Sequence, residues 1–161
     1  MATFRAPHES RDETITAADR LTNLVLEVFR INGDLVAAGN ALTEGTRLTT
    51  ARWQVLGAVA LSETTPTVAD IARTMGLTRQ AVQRVVDELE AEEFVRRVDH
   101  PHSRRARPVE LTKRGQTLYA EIMGRQRPWA RRLSSGISER QLQITSEVLV
   151  ELRRRLELDG E

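Results

Sequence analysis

The sequence predicts a mainly α-helical protein with one small β-hairpin, and three patterns carry this prediction. Apolar residues recur every three or four positions over most of the chain, which is the spacing of one helix face. Residues 94–98 instead combine apolar and basic side chains, and residues 107–111 alternate with Val109 and Leu111 on one side, which is typical of strands. Aromatic residues make up only 4% of the chain, so the apolar content is mostly aliphatic and suits helix packing.

Composition narrows the class of protein. A length of 161 residues suits one domain with helical extensions, and 40% hydrophobic with 29% charged residues indicates a folded, soluble chain. The absence of cysteine excludes disulfides, thiolate metal sites and a thiol-based peroxide switch. No apolar run approaches the roughly 20 residues needed to cross a bilayer. The N-terminus also lacks the apolar core of a signal peptide, so we expect a cytoplasmic protein with no membrane partner.

The outer segments of the chain are predicted to be helical. Residues 1–14 are polar and without period, and we interpret them as a flexible arm. Helical spacing then runs from Ile15 to a predicted end near Gly39 and Asn40. After residue 113 two more helices are expected. The second of them carries a stripe, a row of apolar side chains, that needs a partner, either the first helix of the same chain or that of another copy. That stripe comprises Leu142, Thr145, Val148 or Leu149, Leu152 and Leu156.

The central segment contains signals for three short helices. Threonines at helix starts are predicted N-caps because their hydroxyls accept from free backbone N–H groups. These are Thr49, Thr67, Thr78 and, at the start of the following long helix, Thr112. Gly76 supplies the left-handed residue of a tight turn between the second and third helices, and Leu77 is expected to pack between them. The predicted inward face of the third helix consists of Ala81, Val82, Val85, Val86 and Leu89.

The outward face at the start of that third helix is polar and basic. It consists of Thr78, Arg79, Gln80, Gln83 and Arg84. Arginine can bond a guanine edge and glutamine an adenine edge, while threonine and a helix N-terminus contact phosphate. These residues therefore fit a helix that reads the DNA major groove. A solvated amphipathic helix explains the same pattern.

The hairpin favours the DNA interpretation. Residues 96–107 contain five arginines and one aspartate, and the loop DHPHSRRA places Arg104 and Arg105 between the strands, with Arg107 on the returning strand. An arginine-tipped hairpin next to a recognition helix suits the negative potential of a narrow minor groove. This combination predicts a winged helix-turn-helix domain. A solvated charged hairpin is the alternative.

We expect no catalytic, metal or cofactor site. The sequence has no glycine-rich phosphate loop and no cluster of nucleophile and base. His100 and His102 lie close together near Asp99, but two histidines on one loop rarely complete a metal shell.

Three stretches resemble the MarR family of bacterial transcription regulators: LTTARWQVL, VADIARTMGLTRQAVQRVVDELEAEEFV and HPHSRRARPVELTKRG. The resemblance implies an obligate homodimer that reads an inverted-repeat DNA operator. It assigns 15–48 to an N-terminal dimerisation helix, 49–112 to the winged domain and 113–161 to C-terminal dimerisation helices. Many members carry an acidic residue before the arginine pair of the wing. Here Ser103 stands at that position, and Asp99 is a substitute at a different offset.

The resemblance also concerns regulation. Members usually repress transcription, and many release DNA when a small aromatic compound binds between the dimer helices and the DNA-binding domain. The candidates for lining such a pocket are Phe29, Trp53, Tyr119 and Trp129, all of which could equally be core residues. A winged-helix protein-interaction module that does not read DNA is the alternative function.

Overall fold

Six helices and one two-stranded antiparallel sheet form the computed structural model, which describes residues 15–99 and 107–159. The elements in order are α1 (Ala17–Leu42), α2 (Thr50–Leu61), α3 (Val68–Met75), α4 (Arg79–Ala91), β1 (Val95–Arg97), β2 (Val109–Leu111), α5 (Lys113–Leu133) and α6 (Glu139–Asp159). Two compact units are present, the first extending to Ala41 and the second beginning at Leu42. The mainly helical class with a small hairpin is confirmed. The predicted flexible arm, residues 1–14, lies outside the described residues.

The predicted caps are confirmed at four helix starts. Each threonine Oγ1 accepts from the backbone N–H three residues later, which satisfies a group that the helix itself leaves free. The cap distances are 3.3 Å at Thr49, 3.2 Å at Thr67, 3.2 Å at Thr78 and 3.0 Å at Thr112. Gly76 ends α3 with φ at 62°, so the predicted left-handed turn is also confirmed. Local chemistry therefore sets where these helices begin.

The core of the second unit lies between α2, α3, α4, the hairpin and α5. Its fully buried side chains include Val55, Leu56, Ile71, Val82, Val86, Leu89, Val95, Val109 and Ile122. Two predictions about this region are wrong. Ala81 is exposed, because it lies at the N-terminal end of α4 beyond the packed turns. Leu77 is 43% exposed, since its backbone N–H closes α3 by donating to Ala72 while Ile71 and Val82 fill the interior.

The hairpin is shorter than predicted. Val95 pairs with Leu111 and Arg97 with Val109, so each strand has three residues rather than five. Val109 is buried and Leu111 half-buried, as the alternation predicted. The Val109 N–H donates to the Pro66 carbonyl at 2.8 Å, which attaches the residue before the α3 cap to the edge of the sheet. The hairpin is therefore fixed to the helix-turn-helix segment.

A close contact joins the residue before β1, Phe94, to the start of α5. A Cβ placed on Gly115 would lie 1.9 Å from the Phe94 carbonyl oxygen, so only glycine fits there. The Thr112 hydroxyl donates to the Glu93 carbonyl at 2.6 Å, and Glu93 itself has a left-handed φ of 60°. The sequence did not predict this joint.

The last two helices leave much apolar surface uncovered. α5 continues through Pro128, and α6 begins with a capping pair in which the Ser138 hydroxyl donates to Gln141 at 2.7 Å. α6 has no buried residue. Exposed members of its stripe are Leu142, Val148, Leu149 and Leu156. Within the described parts of the chain, no helix combines the length and apolarity that a membrane span requires.

Candidate nucleic-acid interface

The structure brings the five predicted α4 side chains together on one exposed face. Val82, Val86 and Leu89 are fully buried on the opposite face, and the helical repeat turns the polar residues away from them. Exposed on this outer face are Thr78, Arg79, Gln80, Gln83 and Arg84. Since Thr78 is the N-cap, the positive end of the helix dipole lies at the same place.

The partners of these side chains differ. The Arg84 Nε lies 3.6 Å from Glu88, one turn along the exposed surface. The Gln83 amide nitrogen donates to the Asp87 carboxylate at 2.8 Å. Arg79 has no ion pair with any residue in the described parts of the chain. Its charge is therefore free to attract an anion.

A cleft of about 310 Å³ separates α4 from the hairpin. It is lined by Thr67, Val68, Ala69, Arg79, Gln83, Arg97 and Arg107. Three arginines contribute positive charge and no acidic residue is part of the lining, although Arg97 and Arg107 pair with carboxylates that lie outside it. Arg107, at the start of the strand that returns from the hairpin loop, and the exposed polar face of α4 thus border the same cleft. We call that face the recognition face, and it consists of Thr78, Arg79, Gln80, Gln83 and Arg84.

Arg107 is oriented by an ion pair at the base of the wing. Its Nη2 lies 3.4 Å from Asp99, which is almost fully exposed. Asp99 therefore supplies the acidic partner for a wing arginine, despite its different offset from the family pattern. The predicted wing-tip residues Arg104 and Arg105, together with Ser103, lie outside the described residues.

Arg97 is a structural residue of this interface that sequence reasoning missed. Its side chain is only 14% exposed, and its guanidinium bonds both Asp87 and Glu90 of α4. Its backbone N–H also donates to Glu90 at 2.9 Å. The alternation of side chains along a strand could have predicted this role. It places Arg97 on the same face as buried Val95, where an arginine needs carboxylate partners.

The far end of α4 is held by a second buried arginine. Arg52 of α2 is 12% exposed, and its Nη2 donates to Glu92 at 2.7 Å. Its Nη1 donates to the Arg47 carbonyl at 2.6 Å. Arg97 therefore ties the hairpin to the C-terminal half of α4, and Arg52 ties α2 to its C-cap.

The start of α3 carries a charged capping box. The Thr67 hydroxyl and backbone N–H both donate to Asp70, at 2.7 and 3.0 Å. These bonds, the hydroxyl contributing most, hold the pKa of Asp70 below its ordinary value. The carboxylate therefore stays ionised and stabilises the helix end beside the basic cleft.

The candidate ligand-pocket residues are spread over different parts of the chain. Phe29 lies on α1 in the first unit and is 71% exposed. Trp53 and Tyr119 pack partly buried against the core, and Trp129 is half-buried on α5. A larger cleft of about 680 Å³ lies between the end of α2 and the start of α5, and none of these four residues lines it.

The side chains that could bind a metal ion do not cluster in the part of the chain that the structure describes. The described residues contain no group of three or more histidine or acidic side chains able to hold a metal ion. His100 and His102 lie outside those residues.

Comparison with known proteins identifies the family. The MarR family model matches residues 48–106. The uncharacterized protein Rv2011c of Mycobacterium tuberculosis is 32% identical over 132 residues, covering 82% of this chain and 91% of that protein. The chain therefore belongs to the MarR family of transcription regulators, which are not enzymes, and the predicted resemblance is confirmed.

Solved structures share the fold. A MarR/EmrR family transcriptional regulator from Acinetobacter sp. ADP1 superposes with a TM-score of 0.76 at 20% identity, covering 89% of this chain and 99% of that one. CouR from Rhodococcus jostii RHA1, solved bound to p-coumaroyl-CoA, has a TM-score of 0.70 at 22% identity, covering 80% and 90%. These likenesses extend beyond the winged domain to most of the chain.

Proposed function

We propose that this protein is a homodimeric, sequence-specific double-stranded-DNA-binding regulator that represses transcription from an inverted-repeat operator. One observation carries the proposal. The exposed polar face of α4 and Arg107 of the hairpin border a cleft lined by three arginines and no acid. Because a DNA duplex presents dense phosphate charge beside readable base edges, a basic cleft next to a polar helix suits it better than a protein surface.

Each part of the interface has its own role. Arg79, Gln80, Gln83 and Arg84 face base edges in the major groove, while Thr78 and the start of α4 contact phosphate. We assign the minor-groove contacts to Arg104 and Arg105, which the sequence predicts for the wing, and the contact with the backbone beside them to Arg107.

The uncovered apolar surface supports the homodimer. α1 and α6 both expose long aliphatic rows, which are costly to leave in water. In α1 the exposed residues include Leu21, Val25, Leu26, Val28, Ile31, Leu35 and Val36. A second copy supplies a matching surface and places two recognition helices about 34 Å apart, one turn of DNA. Light scattering should give twice the mass of one chain, and a monomer at micromolar concentration would contradict this part of the proposal.

We also propose that a small aromatic compound is the effector. CouR carries an aromatic acyl-CoA in its crystal structure. In this chain Phe29, Trp53, Tyr119 and Trp129 are the aromatic residues available to contact such a compound. Trp53 fluorescence titrated with aromatic acids and acyl-CoAs tests this idea. No spectral change across that panel would count against a pocket at Trp53.

The central experiment is DNA binding by matched arginine variants. Full-length protein is used to select duplexes from a pool with a randomised core, and affinities are then measured by fluorescence anisotropy. We expect Arg79→Ala and Arg105→Ala each to weaken binding about a hundredfold, because the homodimer loses two charge-assisted contacts and each is worth about tenfold. Arg140→Ala, which removes an exposed arginine from α6, should leave affinity unchanged. If the protein enriches no duplex, the protein-interaction module becomes the better explanation. If affinity is unchanged in both interface variants, the assignment of this face is wrong.

A further inference from the structure

The amide of Gln83 has a fixed orientation on the recognition face. Its Nε2 lies 2.8 Å from the Asp87 Oδ1, one helical turn further on. An ionised carboxylate only accepts hydrogen bonds, so the amide must present an N–H rather than its oxygen to Asp87. The amide oxygen therefore points away from Asp87.

Asp87 is itself held in place from the hairpin. Arg97 Nη2 donates to the same Oδ1 that accepts from Gln83. Arg97 is in turn bonded to Glu90 through its backbone N–H at 2.9 Å and through its guanidinium. A chain of contacts thus runs from the buried base of β1 to an exposed side chain of α4, and it restricts a glutamine that would otherwise rotate freely.

The bond to Asp87 limits which DNA base the Gln83 amide can match with hydrogen bonds. One of its two N–H groups is committed to Asp87, which leaves one donor and the carbonyl oxygen for DNA. Adenine presents one acceptor, N7, and one donor, the N6 amino group, and matches that pair. Guanine presents two acceptors, N7 and O6, and would leave one of them without a donor.

We propose that Asp87 is a positioning residue that makes Gln83 select adenine over guanine at one base pair of each half-site. The proposal rests on the DNA-binding function proposed above and adds a specificity determinant to it. Asp87 does not touch the base and acts through the amide that it orients. Its own negative charge repels phosphates on every duplex alike, so it cannot create a base preference by electrostatics.

The test compares affinities for duplexes that differ at one base pair. Single-position variants of the best duplex from the randomised pool are titrated with full-length protein, and loss of discrimination in Gln83→Ala identifies the base pair that Gln83 reads. At that position we expect the natural protein to prefer adenine by about tenfold or more. Asp87→Ala should reduce this ratio to within about twofold.

Two substitutions at Asp87 sharpen the prediction. Asp87→Asn should keep the preference for adenine. The Arg97 guanidinium only donates hydrogen bonds, so the introduced amide turns its oxygen toward Arg97, and that oxygen still accepts from Gln83. Asp87→Lys should move the preference toward guanine, since a donor-only ammonium turns the amide so that both N–H groups face the DNA. Each variant is compared at equal folded fraction by circular dichroism.

Glu88→Ala is the matched control. It removes a neighbouring exposed carboxylate that pairs with Arg84 and not with Gln83, so the adenine-to-guanine ratio should not change. An equal effect of Glu88→Ala and Asp87→Ala, or a ratio unchanged in both Asp87→Ala and Asp87→Lys, would overturn the inference. Failure of the natural protein to enrich any duplex would instead refute the proposed function itself.

Discussion

Gly115 at the start of α5 lies so close to Phe94 that a Cβ would be 1.9 Å from the Phe94 carbonyl oxygen. The short segment between α4 and β1 meets the start of α5 at this contact. Since a backbone carbonyl cannot rotate aside as a flexible side chain can, the helices must separate to accept any larger residue.

We therefore expect Gly115→Ala to lower the free energy of unfolding by about 3 kcal/mol, the upper part of the usual range for overpacking. Gly124→Ala is the control on the same helix, because no atom lies within 4 Å of a Cβ built there. That change should raise stability by about 0.5–1 kcal/mol through lower backbone entropy of the unfolded chain. Urea denaturation measures both, and equal effects of the two substitutions would contradict the close contact.

The Arg97 contacts predict that replacing Arg97 lowers the free energy of unfolding more than replacing its neighbour Arg96. Arg97→Ala leaves Asp87 and Glu90 without their shared cation, and we expect a loss of about 2 kcal/mol, reduced from the cost of a fully buried pair because both carboxylates are partly exposed. Arg96→Ala removes an exposed arginine paired with Glu110 and should cost less than about 1 kcal/mol. Chemical denaturation of the two variants compares them directly. Similar losses would mean that Arg97 does not fasten the hairpin to α4.

The Asp70 capping box predicts a pH-dependent contribution to stability. Hydrogen bonds from Thr67 hold the folded-state pKa of Asp70 below its ordinary value of 3.8. The stabilisation is therefore fully present above the unfolded pKa and is lost as the pH falls through the folded pKa. Asp70→Asn should cost about 1 kcal/mol at pH 7, and the difference from the natural protein should shrink toward pH 3.

The control for this pH dependence is Glu63→Gln. Glu63 is an exposed carboxylate with no hydrogen bond or ion pair to other residues that the structure describes. Its replacement should leave the stability difference near zero from pH 7 to pH 3. A pH-independent effect of Asp70→Asn would show that the ionised carboxylate is not what stabilises α3.

Salt dependence separates phosphate contacts from base contacts. Arg107→Ala should reduce the slope of log affinity against log salt by about 2, because the homodimer carries two copies of Arg107 and two fewer phosphates are neutralised. Arg140→Ala should leave the slope unchanged, since it alters charge away from the proposed interface. The measurement is anisotropy between about 50 and 200 mM salt. An unaltered slope in Arg107→Ala would remove this residue from the set of DNA contacts.

The sequence by itself determined the features that depend on local chemistry. The four threonine caps and the left-handed Gly76 follow from bonds within a few residues of the chain. The order of helices and hairpin follows from their periodicities, and the clustering of Arg79, Gln80, Gln83 and Arg84 follows from the helical repeat.

Only the tertiary structure decided what depends on distant partners. Leu77 is exposed, although its apolar side chain and its place between two helices predicted burial, because other residues already fill that interior. Arg97 bonds Asp87 and Glu90, which are 10 and 7 residues away in the sequence. No pattern in the local sequence predicts these contacts. Gly115 is required by a carbonyl on another element. The physical reason is common to all three, since burial, ion pairing and close packing depend on which elements the fold brings together.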